Sequence, residues 1–228
     1  DVVQLCIYSD TLQTFRLAAQ GKTRGRSPPA RLRERIATHF DPLPFWSPPL
    51  EDAFVDRARY PLAAITQRPM AMYHSWDSQN AWLRQIHSHN YLFAHPSAAS
   101  AAGVADGGWC WVESRWGRVR CMLRFSEAVE PGTVWTWNAI GKGEGAWQLA
   151  PGADEARKGF LLNHLISDEL PVPGAYGSAA AASGTARAGA PATMSNSDPI
   201  TGQAGWYDVR VRLRPADPEP VEATWPQV

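Results

Sequence analysis

Apolar and polar positions alternate most plainly from Arg118 to Phe125, where Val119, Cys121, Leu123 and Phe125 interleave with Arg118, Arg120, Met122 and Arg124. A period of two sends one set to a buried face and the other toward water, so this run predicts a half-buried strand. Shorter runs rich in β-branched and aromatic residues predict strands at 2–8, 62–66, 91–94, 109–114, 133–137 and 206–213. Helical spacing is found at 11–19 and at 30–38, where Leu32 and Ile36 share a side. Two further short helices are expected. One runs over 78–86 after a polar cap at Asp77 or Ser78, and the other over 96–102 from Pro96, ending at Gly103. Prolines at 42, 44, 48 and 49 exclude regular structure between Asp41 and Pro49. Many short strands with small helices between them predict a mainly β, α+β mixed barrel rather than a doubly wound sheet.

Composition narrows the class. The chain has 228 residues, 44% of them hydrophobic and 11% aromatic, which is enough to bury a real core. Lys+Arg and Asp+Glu number 22 each, so nonspecific nucleic-acid binding through bulk positive charge is excluded. No run approaches the ~18 apolar residues of a membrane-spanning helix. The first residues read as the inside of a strand, so residues 1–57 are expected to be the end of a preceding domain and a Pro-rich connecting arm. The barrel is expected over 58–213, with a Gly/Ala/Ser-rich flexible insertion at 174–192 and a disordered tail at 214–228. Cys6, Cys110 and Cys121 make no CxxC pair. Cys110 and Cys121 fall in neighbouring strands, where buried free thiols are expected, and a cysteine-only metal or iron–sulfur site is excluded.

The stretch from Thr66 to Asn90 mixes Arg68, His74, Ser75, Asp77, Gln79, Asn80 and Arg84 with Met70, Met72, Tyr73, Trp76 and Trp82. A pure core segment would leave so many polar groups unsatisfied, and a pure surface segment would not carry so many aromatics. The mixture suits one wall of a site for a large, flat, polar ligand. Other signals are weaker. His87, His89 and His95 could bind a metal, but hydrogen-bonded histidines fit as well and better match the scarcity of nearby carboxylates. Gly141-Lys142-Gly143-Glu144-Gly145 lacks the spacing of a phosphate loop. No serine lies in GxSxG, and adjacent His74 and Ser75 would face opposite ways on an extended chain. Asn196, Asp198 and Gln203 could meet a nucleobase edge or simply cap a turn.

Taken in order, Thr66-Gln67-Arg68, His74-Ser75, Asn90, Pro96 to Ala99, the Gly103-Val104-Ala105-Asp106-Gly107 turn, Pro131-Gly132 and Asn196–Gly202 resemble one family. It is the C-terminal dinucleotide-binding domain of molybdopterin oxidoreductases of the dimethyl-sulfoxide-reductase superfamily. The wording MYHSWDSQNAWLRQI and VWTWNAIGKGEGAW is most similar to catalytic subunits of the sulfite dehydrogenase, thiosulfate reductase and polysulfide reductase type. This resemblance implies a double-psi β-barrel-like (aspartate-decarboxylase-like) domain closing over a molybdenum bis(molybdopterin guanine dinucleotide). It also implies contacts from Thr66 and Arg68 to the cofactor, from His74 and Ser75 to the pterin or its phosphate, and from Asn90 along the dinucleotide. Asn196, Asp198 and, less directly, Gln203 would reach a base or pterin edge. The molybdenum ligand and iron–sulfur cysteines would lie upstream, so no catalytic or metal-ligating residue is expected here and this part alone would be inactive. Implied partners are upstream domains of the same polypeptide, an iron–sulfur protein for electron transfer and a membrane-anchor protein on the cytoplasmic face. Three positions depart from the family pattern: Gln67 replaces a glycine, His95 an asparagine and Gly108 an aspartate. The alternatives are a stand-alone Trp-rich ligand-binding barrel and a small hydrolase on a related barrel.

Overall fold

The alternating runs become strands that close on themselves. The computed structural model of the chain describes residues 9–23, 25–43, 46, 48–73, 80–87, 89–138, 140, 159–171, 193–198, 200–205 and 209–217. They belong to two compact units, Phe54–Ser167 with Trp206–Val228, and Asp1–Ala53 with Asp168–Gly205.

The first unit holds the barrel. Its strands are β1 (Leu62–Gln67), β2 (Tyr91–Ala94), β3 (Trp109–Glu113), β4 (Arg118–Phe125), β5 (Thr133–Trp137) and, numbered in chain order, β8 (Val209–Pro215). Around the barrel the order is β1-β5-β2-β4-β3-β8, and β8 returns to β1. Pairs β1–β5 and β2–β4 are parallel and the other four are antiparallel. This interlocked mixture is the mainly β barrel that the resemblance implies, and closure leaves none of its strands with an open edge. The period of two decides the interior: Leu62, Ala64, Leu92, Leu123, Val134 and Val211 form part of one buried cluster. Cys110 and Cys121 face each other in register inside it as free thiols with 3.7 Å between sulfurs. Burial, reinforced by the hydrogen bond from Cys110, pushes the Cys121 thiol well above its usual range.

Two departures from the family pattern have local causes. His95 caps helix α4 (Pro96–Ala101), its Nδ1 accepting from the Ser97 amide at 3.2 Å, so imidazole does the work of an asparagine. A Cβ at Gly108 would meet the Ala105 carbonyl oxygen at 2.9 Å, so no side chain fits there. Gly107 precedes it at φ 72°, a conformation glycine adopts freely. Helix α3 (Ala81–Ile86) is shorter than its sequence pattern, because Asn80 rather than Asp77 or Ser78 caps it by accepting from the Trp82 and Leu83 amides.

The second unit contains α1 (Ser9–Ala19), α2 (Ala30–His39) and a two-stranded ribbon of β6 (Glu169–Pro171) and β7 (Thr193–Ser195). Phe15 meets Phe40 edge-on, and Arg16 pairs with Asp41 at 2.6 Å. The ribbon had no clear sequence signal, since three-residue strands are too short to show a period. The strand expected over 2–8, the insertion at 174–192, the Gly141–Gly145 loop and the end of the tail lie outside the described residues.

Candidate functional site

At one mouth of the barrel, the inward positions change from apolar to polar. Along β1 the buried positions run Leu62, Ala64, Thr66; along β5, Val134 gives way to Thr136; and just before β2, Asn90 precedes Leu92. These positions are neighbours because the strands are in register: Thr66 sits beside Thr136, and Leu92 sits beside Thr136 on its other side. The chain then continues in register past the strands, where the Asn138 amide donates to the Gln67 carbonyl at 2.7 Å.

Asn90 braces this mouth. It is only 3% exposed, and its Nδ2 donates to the carbonyls of Trp137 at 2.9 Å and Phe160 at 3.1 Å. Its Oδ1 accepts from the Thr136 hydroxyl at 2.9 Å. Two nearby atoms are not so well served. Thr66 Oγ1 and Asn138 Oδ1 are buried and find no hydrogen-bond partner among the described residues. Such an atom costs on the order of 1–3 kcal/mol unless something outside the chain's own groups satisfies it. Arg68, one residue beyond β1, is exposed and makes no ion pair among the described residues. A buried acceptor pair beside an accessible guanidinium suits a ligand with both an N–H edge and phosphate oxygens.

Beside the mouth, the outer face of β2 and β5 is an aromatic wall. Phe93 stacks on Trp135 with centroids 4.1 Å apart, and Trp135 meets Trp137 edge-on at 4.7 Å. A cleft of about 520 Å³ opens here, lined among others by His87, His89, Tyr91, Trp137 and Arg124. His87 packs on Trp137 and His89 stacks on Tyr91, so these histidines are aromatic neighbours. No group of three potential metal ligands occurs among the described residues.

The late candidates form a turn of the second unit. Asn196 is 7% exposed, and its Nδ2 donates to the Gly205 carbonyl at 3.2 Å. Asp198 Oδ1 accepts from the Ile200 amide, the Thr201 amide and the Thr201 hydroxyl at 2.9, 2.6 and 3.0 Å. Burial works against ionisation of this carboxyl, but those bonds and the nearby Arg35 charge prevail and hold it below the usual carboxylate range. Gln203 is exposed, and its amide donates to Thr201 Oγ1 at 3.3 Å. His74 and Ser75 lie outside the described residues. Asn138 was missed in the sequence because a lone asparagine after a strand reads as a turn residue. Its position in register beside the β1 terminus would have singled it out.

The match to known proteins decides the family. Residues 62–180 match the family model described as the molydopterin dinucleotide binding domain. The chain belongs to this family. The molybdopterin dinucleotide-binding domain is 64% identical over 225 residues to the A-type subunit of sulfite dehydrogenase from Allochromatium vinosum, covering 99% of this chain and 22% of that protein. The chain therefore spans about a fifth of that relative's length. It is 30% identical over 99 residues to acetylene hydratase of Syntrophotalea acetylenica, covering 42% of this chain and 14% of the relative. The solved acetylene hydratase from Pelobacter acetylenicus matches 77% of this chain and 22% of its own, with TM-score 0.52 and 19% identity, which shows a shared fold. The domain's donor set fits a pterin dinucleotide: orphaned acceptors for a heterocycle edge and an accessible guanidinium for phosphates. No helix among the described residues is long and apolar enough to cross a membrane.

Proposed function

We propose that this domain is the C-terminal cofactor-holding part of a molybdenum oxidoreductase that acts on a small sulfur compound, with sulfite the leading substrate. The observation that carries this reading is 64% identity along nearly the whole chain to one component of a sulfite dehydrogenase. The cofactor is bis(molybdopterin guanine dinucleotide), which when bound supplies electron transfer coupled to oxygen-atom exchange at molybdenum. The protein's share is binding, orientation and electrostatics. Arg68 engages the pyrophosphate in a bidentate pair, which a planar guanidinium does better than an ammonium. Thr66 offers its hydroxyl at the end of β1, and His74 and Ser75 bond the pterin or its phosphate. Asn90 lies along the dinucleotide and keeps the carbonyls of Trp137 and Phe160 in place. Asn196 and Asp198, with Gln203, serve a base or pterin edge. The molybdenum ligand and an iron–sulfur cluster belong to upstream domains of the same polypeptide. A separate iron–sulfur protein and a membrane anchor on the cytoplasmic side complete the enzyme.

The test is made on the purified enzyme. Stoichiometric molybdenum, release of GMP on acid hydrolysis, and sulfite-dependent reduction of an artificial electron acceptor are expected. Arg68→Ala is expected to lower molybdenum occupancy by about tenfold, as loss of one charge-assisted contact would. Full loading of that variant would remove Arg68 from the site, and absence of pterin from the wild-type enzyme would overturn the reading as a whole.

A further inference from the structure

We infer that Thr66 and Asn138 form a two-point reader of the ligand's N–H edge, kept unsatisfied by the fold until a planar nitrogen heterocycle arrives. Four observations converge on this. Both oxygens are buried and unpartnered among the described residues. Thr66 lies on β1 and Asn138 directly follows β5, its parallel neighbour, with Thr66 beside Thr136 and the Asn138 amide tied to Gln67. The polar groups around them are already used: Thr136 donates to Asn90, and Asn90 donates to Trp137 and Phe160. Finally, Asn90 grips the carbonyl of Trp137, the residue before Asn138, and so acts as a positioning residue that sets where the Asn138 side chain begins.

The chemistry follows from the atoms. An amide oxygen only accepts, and a threonine hydroxyl can accept or donate. The pair therefore selects a ring that presents an amine or ring N–H, with a second polar atom next to it, as a pterin or guanine edge does. A ring lacking those donors would leave both oxygens buried and unmet, and such mismatches discriminate strongly. The inference rests on the cofactor reading above and adds Asn138 and a direction of effect to it.

That direction makes the proposal testable. An unmet buried oxygen burdens the empty protein and is relieved by the ligand, so removing it should help the empty form and harm the loaded one. Thr66→Val and Asn138→Leu keep approximate shape and delete the oxygens. Each would be prepared in the enzyme made with and without pterin synthesis. In the cofactor-free protein Tm is expected to stay level or rise. In the loaded protein pterin is expected to dissociate about tenfold faster, read from the fluorescence of the oxidised pterin released on dilution. Thr66→Ser and Asn138→Asp, which retain the oxygens, are expected to hold pterin better than the apolar variants. A fall in Tm of the cofactor-free Thr66→Val or Asn138→Leu protein would reveal a partner within the protein and overturn the inference. So would unchanged pterin release from loaded variants. Wild-type enzyme without pterin would instead overturn the cofactor reading, and this inference with it.

Discussion

At Asp198, three donors converge on one carboxylate oxygen, and the turn they hold becomes sensitive to pH. The folded carboxyl titrates below its unfolded value, so its contribution is complete above about pH 4 and is lost as pH falls through the folded value. Asp198→Ala is expected to weaken the 196–205 turn by about 1 kcal/mol, modest because the site is exposed to water. Hydrogen exchange reads this directly at the Ile200 and Thr201 amides, which bond that carboxylate. Their protection should fall in the variant at neutral pH, and in the wild type only under acid. Equal protection in both proteins at pH 7 would show that the turn stands without the carboxylate. The contrast between Asp198 and Asn138 also marks the limit of residue-by-residue reading. Asparagine and aspartate both suggest turn chemistry, and only strand register tells which of them is already satisfied.

Among the elements, the strands of the barrel were legible because each has a buried face, and a two-residue period records that face in the sequence. Arg118–Phe125 shows it best, with Val119, Cys121 and Leu123 buried and Arg124 exposed. Helix ends were harder to place. Asn80, Asp77 and Ser78 are all competent caps, and only the three-dimensional path selects Asn80. The ribbon of β6 and β7 was not legible, because 21 residues separate Pro171 from Thr193 and neither partner is long enough to announce itself. His95 shows how a departure from a pattern can preserve its function. His95→Ala is expected to cost about 1 kcal/mol by removing the cap on α4, while His95→Asn should restore most of it. Chemical denaturation of the two variants distinguishes these outcomes, and equal stability of both would show that the cap is idle.

For the whole barrel, closure depends on one strand. β8 bonds to β1 on one side and to β3 on the other. Ending the chain before Val209 therefore opens two edges at once, and open edges invite pairing with other chains. The truncated protein is expected to elute as aggregate by size exclusion with light scattering, where the intact chain is monodisperse; a soluble truncated monomer would show that the other five strands close without it. The same arrangement has a consequence in time. β1 leaves the ribosome long before β8, and at ~5–20 residues per second the interval is roughly 7–30 seconds. Throughout that interval the nascent sheet has a gap in its wall, so a chaperone or an early-bound cofactor has a seam to work through that the finished barrel no longer offers.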